Sequence, residues 1–487
     1  MEPFLRTLID LKNQYNAPVY VVGGFIRDLL LDRRSFDIDM VTKHEPFILG
    51  GRFAQETGGK YRILILDQPT VSIGLEQGAF FYEIDITQMR GDSIKEDLAQ
   101  RDFTINAMAL TLEDMVAEDP RQFVYDPFGG KLDLQREEIR AVSREGLLKD
   151  PLRLLRAARF SAKLNFNLEK HTREAVVSNK ALVRDLSGER LKVELEKMVT
   201  NDAGANFRIL EELGLLQDLF YGLFYAFPEE NEPEEGKEDS LAHVLENLEE
   251  LLNKKGEFSQ LLEERLLAYL HERRKRSWNN LRLLKMAALM CRAYDYKVFL
   301  RKTRTGIKIK QGSRREKARK KRFLHFCAEL GFNDREQNFL HHMLWFYKLP
   351  LHFYCMFTKD SHMVYEFYKI LGKETPAVLV LSLAAYSARM NSWGVNYPSL
   401  PSFQEYKKFI LNLLNRYFYW NEKLPYPPAP ISAQELMGEL YLKDEAIIKE
   451  LMEIIAEAYA EGEISTRKEA VDLAGLEYRR KQGESFY

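Results

Sequence analysis

The stretch that decides the fold is "VYVVGGFIRDLLLDRRSFDIDM", residues Val19–Met40. It opens with an apolar, β-branched run, turns at Gly23 and Gly24, passes through a helical pattern and closes on Asp-Ile-Asp. β-Branched runs predict strands, and a glycine pair directly after such a run predicts a tight turn. The stretch therefore predicts a strand, a helix and a second strand, with two carboxylates on the second strand.

The same alternation continues for about 140 residues. Runs rich in β-branched and aromatic residues recur at "YRILILD" and "AFFYEIDIT", and "HEPFILGGRFAQETGG" has a helical pattern between strands. From about Asp150 strand signals end and helical periodicity takes over, and the segment Ile431–Ser465 is predicted to be helical throughout. We therefore predict the α+β class, with a small N-terminal α/β domain followed by all-helical domains. The predicted divisions are residues 1–140, 141–226, a charged linker at 227–240, 241–425 and 426–487.

Composition excludes several classes of protein. The 487 residues carry a net charge of −2, so any nucleic-acid surface must be local. The three cysteines form no CxxC pair and suit a reducing compartment. No apolar run approaches the roughly 20 residues that cross a bilayer, and we predict a cytoplasmic protein without a membrane segment. The basic run Arg301–Arg322 is either a solvated mobile loop or a contact for an RNA phosphate backbone.

The paired carboxylates suggest metal chemistry. In a strand, residues two apart share a face, so Asp37 and Asp39 would lie side by side with Ile38 turned to the core. A third carboxylate could come from Glu83 or Asp85, which share a face of a neighbouring strand. Mg²⁺ prefers such oxygen ligands together with substrate phosphates. An isolated Asp-x-Asp is common on exposed strands, but here it follows a glycine turn of the kind that lets backbone N–H groups approach a phosphate.

Five motifs occur in one order along residues 19–198: "GGFIRD" with "SFDIDM", "SIKEDLAQRDFTINAMA", "YDPFGGKLDLQREEIRAV", "KDPLRLLRAARFSAKLNF" and "SGERLKVELEKM". This series resembles the class II tRNA nucleotidyltransferases and bacterial poly(A) polymerases of the polymerase β-like superfamily. The resemblance implies a nucleotidyltransferase head followed by helical neck, body and tail domains. It also implies an Mg²⁺-dependent enzyme, using two ions, that extends the 3′ end of tRNA without a template and releases pyrophosphate.

The resemblance assigns roles at matching positions. Asp37 and Asp39 would bind the metal ions, and Asp85 would be the third catalytic carboxylate, preferred to Glu83 for its spacing to Arg90. An Asp/Arg pair can accept from an exocyclic amine and donate to a ring nitrogen, which selects cytosine and adenine over uracil and guanine. The residues implied in nucleotide binding are Gly23, Gly24, Arg27, Arg101, Asp102, Asn106, Asp150, Arg153, Arg156 and Arg159.

The sequence departs from the family pattern at informative places. The family usually has a flexible loop of on the order of 20 residues after the third-carboxylate strand, and loops of that length are often functional. Here "DITQMRGDSIKEDL" passes almost directly onward, as in the CC-adding enzymes. Lys149 stands where Glu is usual, and Gln100 replaces the first arginine of a pair.

These features lead to a specific prediction. The expected activity is addition of two CMP residues from CTP to the tRNA 3′ end, with a separate A-adding enzyme acting afterwards. A full CCA-adding enzyme that also takes ATP, an A-adding enzyme and a poly(A) polymerase remain open alternatives. A catalytically silent RNA-binding protein is the alternative from another class.

Overall fold

The chain forms two compact units in the computed structural model, one comprising Met1–Leu186 with Ala205–Tyr221 and the other Ser187–Gly204 with Gly222–Tyr487. The predicted linker at 227–240 lies outside the described residues. The structure describes residues 3–16, 18–65, 68–221, 242–254, 256, 258–272, 277–291, 300–303, 306–309, 314–357, 361–388, 400–422, 431–442, 444–461, 464 and 466–481.

A mixed six-stranded sheet organises the first unit. Its strands are β1 Val19–Val22, β2 Asp37–Thr42, β3 Lys60–Ile65, β4 Pro69–Gln77, β5 Phe80–Gln88 and β6 Ala109–Thr111, in the order β3-β4-β5-β2-β1-β6. Strands β2 and β5 are parallel, and the other neighbours are antiparallel. The strands predicted at β1, β2, β3 and β5 are confirmed, whereas β4 and β6 were not predicted.

The described residues among the first 221 also form twelve α-helices, of which α10 belongs to the second unit. They are α1 Pro3–Gln14, α2 Gly24–Leu30, α3 Pro46–Thr57, α4 Ile94–Ala99, α5 Leu112–Met115, α6 Gly130–Gln135, α7 Arg144–Lys149, α8 Leu152–Leu164, α9 Lys170–Ser178, α10 Gly188–Thr200, α11 Ala203–Glu212 and α12 Leu215–Leu219. Helix α3 packs so closely on β4 that a methyl group added at Gly50 would collide with the Val71 side chain. The predicted helices after Gly23 and after His44 are both confirmed.

Alternation along the two central strands separates an apolar face from an acidic one. Ile38 and Met40 of β2 and Ile84 and Ile86 of β5 are at most 2% exposed and point into the core. The residues between them carry carboxylates and face the other way, because successive side chains of a strand point to opposite faces. The hydrophobic pattern therefore fixes which face of the sheet holds the acids.

Helix α8 begins and ends at residues with clear local roles. Asp150 precedes Pro151, and the Asp150 carboxylate accepts a hydrogen bond from the Leu152 N–H at 3.2 Å. Such a bond satisfies a backbone donor of the first helical turn, which otherwise lacks a partner. The helix ends at Asn165, whose φ of 59° is the left-handed conformation that asparagine tolerates. Beyond it, Asn167–Leu168 (β8) pairs in parallel with Glu138–Ile139 (β7).

The second unit is mainly helical. Its further helices are α13 His243–Asn253, α14 Gln260–Leu270, α15 Asn280–Met290, α16 Arg314–Glu329, α17 Asp334–Phe346, α18 Leu349–Phe357, α19 Ser361–Leu371, α20 Thr375–Ala388, α21 Phe403–Glu422, α22 Ala433–Leu440, α23 Glu445–Glu461 and α24 Arg467–Lys481. Helix α20 is apolar on all sides and contacts α13, α15 and α21, so it forms the centre of this unit. Within the described ranges, no helix combines the length and apolar character that crossing a bilayer requires.

Two details of this unit differ from the sequence-based expectation. A short antiparallel hairpin, β9 Leu300–Thr303 and β10 Gly306–Ile309, lies within the predicted helical body and within the basic run. The expectation of an unbroken helix over residues 431–465 is wrong, because Tyr441 adopts a φ of 55° and ends α22 before α23 begins. Helices α22, α23 and α24 still share one small apolar core.

Candidate active site

Two parallel strands bring the predicted catalytic carboxylates together. In the pairing of β2 with β5, Asp39 is the direct partner of Asp85, and Asp37 is the partner of Glu83. All four acids lie on the face opposite the apolar core. Neighbouring strands are about 4.8 Å apart, so the Asp39 and Asp85 carboxylates are adjacent, with Asp37 one step along the same face.

Asp85 has an environment that suits a cation. Its Oδ1 atom is buried and has no hydrogen-bond partner in the structure. Burial raises the pKa of Asp85, the negative charges of Asp39 and Glu83 raise it further, and a hydrogen bond from Ser72 opposes them. A buried oxygen without a partner is costly, and a bound divalent cation would satisfy it.

The acids fit Mg²⁺ when the substrate supplies further ligands. Among the described residues, no group of three or more His, Cys, Asp or Glu side chains is close enough to hold a metal ion by itself. Mg²⁺ is usually bound through one or two carboxylates plus substrate phosphates and waters. The pair Asp39 and Asp85, with Asp37 beside it, matches that pattern.

Gly23 joins the glycine turn to the carboxylates. It has a φ of 77°, in the left-handed region that favours glycine. A Cβ atom placed on it would lie 3.1 Å from Nη1 of Arg101 and 3.2 Å from Oδ2 of Asp39. Three predicted site residues from separate parts of the sequence therefore converge on one point, and a side chain at Gly23 would occupy the space between them.

A chain of hydrogen bonds connects α2 to α8. Arg27 is 3% exposed; its Nη1 donates to Oδ1 of Asn106 at 2.9 Å, and its Nε donates to Oδ1 of Asp28 at 2.9 Å. The Asn106 amide donates to Oδ1 of Asp102 at 3.1 Å, and Nε of Arg156 donates to Oδ2 of Asp102 at 2.8 Å. Four predicted nucleotide-binding residues thus form one continuous network.

Asp102 is held ionised at the centre of this network. Burial alone would raise the pKa of Asp102, but the positive charge of Arg156 and the hydrogen bonds from Asn106 and from the Phe103 N–H lower it to about 2. A buried carboxylate with a charged partner and several donors is strongly favoured in its charged form. Asp102 therefore remains an anion over the whole neutral pH range.

The other predicted residues of α8 make different contacts. Arg153 donates to the backbone carbonyls of Gln100, Arg101 and Gly146, at 2.5, 3.1 and 2.8 Å. It therefore connects the start of α8 to α7 and to the residues that follow α4. Arg159 lies with Cζ 4.3 Å from the centre of the Phe160 ring. The structure therefore places Arg153 beside the residues that precede Asp102, and Arg159 against the Phe160 ring.

A very short connection follows the third-carboxylate strand. Only residues 89–93 separate β5 from α4. Asp97, which is 3% exposed, accepts a hydrogen bond from the Arg90 N–H at 3.0 Å and pairs with the Arg101 guanidinium at 3.1 Å. The expectation that no long loop follows β5 is confirmed. One buried carboxylate on α4 binds both Arg90, just after β5, and Arg101, just after α4.

Three supporting residues were not predicted from the sequence. Asp97 stands four residues before Arg101, a spacing that brings helical side chains together, so this pair could have been found. Ser72 lies opposite Asp85 on β4, the strand that was missed. Phe160 follows Arg159 directly and contacts several guanidinium groups, which nothing in its local sequence indicates.

A separate cavity of about 360 Å³ lies elsewhere in the first unit. It is lined by residues including Arg144, Glu169 and His171, and by none of the predicted site residues. His171 lies 3.6 Å from the Glu174 carboxylate, and Glu169 already accepts hydrogen bonds from the backbone N–H groups of His171 and Thr172. We assign no chemistry to it.

Comparisons with known proteins show which families this chain resembles. Residues 19–140 match the family described as "Poly A polymerase head domain", and residues 165–227 match "Probable RNA and SrmB- binding site of polymerase A". The CC-adding tRNA nucleotidyltransferase of Shouchella clausii is 36% identical over 223 residues, which are 45% of this chain and 54% of that protein. The chain thus matches about half of that relative's length.

Two further comparisons extend over more of the chain. The CCA-adding enzyme of Bacillus pumilus is 30% identical over 313 residues, covering 60% of this chain and 70% of that protein. The solved structure of the Thermotoga maritima CCA-adding enzyme complexed with tRNA matches with a TM-score of 0.63 and 21% identity, covering 98% of this chain and 96% of that one. The latter likeness shows a shared fold along nearly the whole chain.

Proposed function

The chain belongs to the class II tRNA nucleotidyltransferase and poly(A) polymerase family, and from this premise we propose that it adds nucleotides to the 3′ end of tRNA without a nucleic-acid template. The observation that carries the proposal is the direct pairing of Asp39 with Asp85 beside Gly23 and Arg101. Carboxylates, a glycine approach and a guanidinium at one point are what nucleotidyl transfer from a triphosphate requires.

The metal site is proposed to comprise Asp37, Asp39 and Asp85. Bound Mg²⁺ ions would offset the triphosphate's charge and make the primer 3′-hydroxyl a better nucleophile. The three acids would hold the ions on the open face of the sheet, and Asp85 Oδ1 would gain the partner that it lacks. Attack on the α-phosphate would break its bond to the bridging oxygen and release pyrophosphate.

Arg27 and the glycine turn are proposed to hold the triphosphate. Three hydrogen bonds, from Nη1 to Asn106 and from Nε and Nη2 to Asp28, fix the orientation of the Arg27 guanidinium. A guanidinium that is already oriented loses little entropy when it binds an anion. The backbone at Gly24 adds N–H donors without a side chain in the way.

Base selection is proposed to depend on carboxylate and guanidinium groups of the protein. Asp150 lies just before α8 and Arg153 lies in its first turn. The pair formed by Asp102 and Arg156 lies next to them. A carboxylate accepts from the N4 amine of cytosine or the N6 amine of adenine, whereas a guanidinium donates to the adjacent ring nitrogen. Uracil and guanine present the opposite pattern and would leave both protein groups mismatched.

We propose CTP as the substrate and addition of two CMP residues as the outcome. The supporting observations are the short connection at residues 89–93 and the likeness to a relative named as a CC-adding enzyme. A short connection tied at Asp97 leaves little freedom for the pocket to change its base preference during the reaction. The finished end would then need a separate enzyme that adds adenosine.

The second unit carries a candidate surface for RNA. In helix α16, Lys317, Lys320, Lys321 and Arg322 are all exposed, and they lie in the basic run recognised in the sequence. Clustered exposed cations contribute salt-dependent, sequence-independent affinity for a phosphate backbone. We assign this surface to the tRNA body rather than to its 3′ end.

One experiment tests activity and product together. The purified chain is incubated with Mg²⁺ and tRNA lacking its CCA end, with CTP alone, ATP alone and both, and the product ends are sequenced. Two cytidines and no adenosine in the mixed reaction are expected. Adenosine after the cytidines would overturn the CC assignment, and no incorporation would overturn the enzyme assignment in favour of a silent RNA-binding protein.

Asp37→Ala provides the matched inactive protein. Asp37 is exposed, so its loss should leave the circular dichroism spectrum and the thermal unfolding temperature close to those of the wild type. Incorporation should fall at least a thousandfold, because removing a metal carboxylate removes charge stabilisation from the transition state. Turnover near the wild-type rate would show that Asp37 is not a metal ligand.

A further inference from the structure

The Phe160 ring is surrounded by three arginines of the candidate nucleotide site. The ring is 6% exposed, and its centre lies 5.5 Å from Cζ of Arg27, 5.5 Å from Cζ of Arg156 and 4.3 Å from Cζ of Arg159. These distances are all within the range of about 6 Å in which a cation is attracted to the face of an aromatic ring. A fourth neighbour, Phe103, meets the ring edge-on at 5.7 Å.

Phe160 also contacts both ends of the hydrogen-bonded network, so that the network and the ring form a closed loop of contacts, here called the circuit. Arg27 reaches Arg156 through Asn106 and Asp102, and both guanidinium groups then lie at the same distance from one ring. The circuit joins α2, which follows the glycine turn, to α8, which carries the residues implied in base recognition. No other described side chain contacts the guanidinium groups of both helices through its ring.

Carboxylates offset part of this positive charge, because Arg27 pairs with Asp28 and Arg156 pairs with Asp102, and the Phe160 ring gives all three guanidinium groups a further attractive contact. Arg27 is almost fully buried, so water screens its repulsion with the other two guanidinium groups only weakly. The negative face of an aromatic ring attracts a cation without accepting a proton or neutralising it. Burial and the neighbouring charge of Arg27 also lower the pKa of Lys163, one turn beyond Arg159, which indicates how crowded with positive charge this region is.

We propose that Phe160 is a positioning residue that holds Arg27, Arg156 and Arg159 correctly spaced for the nucleotide. The inference rests on the proposed function and adds to it a residue that touches no substrate. A carboxylate at this position would neutralise the arginines, and an aliphatic side chain would let them move apart. The aromatic ring does neither.

A fluorination series separates this role from simple packing. Phe160 is replaced, by site-specific incorporation, with phenylalanine carrying one, two and three ring fluorines, which keeps the ring's shape while weakening its negative face. The dissociation constant of CTP is measured for the full-length chain with Mg²⁺, together with KM for CTP and for tRNA. We expect CTP affinity to fall stepwise, by about tenfold for the trifluoro ring, with KM for tRNA unchanged.

The same series at Phe53 is the matched control. Phe53 is fully buried in α3 and packs edge-on against Phe4, and no contact of its ring with a guanidinium is seen among the described residues. Fluorination there should leave CTP affinity unchanged. As a coarser comparison, Phe160→Leu and Phe53→Leu should lower the unfolding temperature similarly, and only the former should raise KM for CTP.

The outcomes distinguish the inference from the function on which it rests. Wild-type chain that adds nucleotides, together with a flat fluorination series at Phe160, overturns the positioning role alone. A decline of equal size at Phe53 also overturns it, because the effect would then follow packing. Wild-type chain that neither binds CTP nor extends tRNA overturns the proposed function and the positioning role together.

Discussion

Replacing Asp85 by asparagine is expected to stabilise the protein in the absence of Mg²⁺ and to abolish its response to Mg²⁺. Asp85 is the direct partner of Asp39 on the adjacent parallel strand, and its buried Oδ1 atom has no hydrogen-bond partner. Asparagine has nearly the same size and carries no charge. The substitution therefore removes repulsion between two carboxylates without opening a cavity.

The size of the gain follows from the strand geometry. Two like charges about 5 Å apart repel by about 1 kcal/mol in a water-like medium and by about 3 kcal/mol at the effective dielectric constant of a protein surface. We expect the free energy of unfolding of the metal-free Asp85→Asn variant to exceed that of the wild type by about 1–3 kcal/mol near neutral pH.

The pH dependence of this gain has a definite sign. Burial and the neighbouring acids raise the pKa of Asp85, so its ionisation is less favourable in the folded chain than in the unfolded chain. The advantage of the variant should therefore grow as the pH rises from the ordinary pKa of 3.8 toward that raised value and stay constant above it. It should vanish below the ordinary pKa of 3.8, where the carboxyl is protonated in both states.

The free energy of unfolding by urea, measured with and without Mg²⁺, reports both effects. Mg²⁺ and CTP together, at about 1,000 times their dissociation constant, should stabilise the wild type by about 4.1 kcal/mol and reverse the ranking of the two proteins. Glu83→Gln is the matched control, because Glu83 lies on the same face of β5 and already accepts a hydrogen bond from Arg62 at 3.2 Å. A metal-free Asp85→Asn protein less stable than the wild type, or one that retains the Mg²⁺ response, would refute the reasoning.

Three further predictions concern other parts of the molecule. Arg27→Lys should raise KM for CTP about tenfold or more without changing KM for tRNA, because an ammonium group cannot reproduce the three directed hydrogen bonds of the guanidinium; equal changes in both constants would contradict this. Because the pKa of Asp102 is lowered to about 2, its ionised form should contribute about 2 kcal/mol to folding at every pH above about 4 and lose this contribution as the pH falls toward 2. Urea unfolding of Asp102→Asn should thus show a constant deficit from pH 5 to 8, and a deficit that varies over that range would count against it. Changing Lys320 and Lys321 together to alanine should weaken tRNA binding and reduce the slope of log affinity against log salt by about 1.5, whereas the exposed residue Lys373 changed to alanine should alter neither.

The sequence predicts the local elements of the site well because the signals for them are local. Residues of β2 and β5 alternate between apolar and acidic, and the glycine turn ends β1 where expected. Strand β4 was missed because Pro69 begins it and Gly74 interrupts its β-branched run. Proline is tolerated as the first residue of a strand, and the Phe81 ring covers the position where a Gly74 side chain would be.

The sequence does not predict which residues from distant segments pair or form hydrogen bonds with one another. The pairing of Asp39 with Asp85 depends on the register of two strands that are about 40 residues apart in sequence. The bonds of Asp102 to Arg156 and of Arg153 to the Gln100 carbonyl likewise join segments more than 50 residues apart. The break at Tyr441 follows from a left-handed residue without glycine, which composition does not reveal.

The contacts of Asp97 with Arg90 and Arg101 affect how readily this protein could acquire a different nucleotide specificity. One carboxylate holds the Arg90 backbone and the Arg101 side chain, and the latter lies beside Gly23 and hence next to Asp39. Inserting residues between β5 and α4 would displace Arg90 and loosen Arg101 at the candidate catalytic centre. Lengthening that segment alone should therefore impair the reaction before it broadens the choice of nucleotide, and any gain of function there would require compensating changes around Asp97.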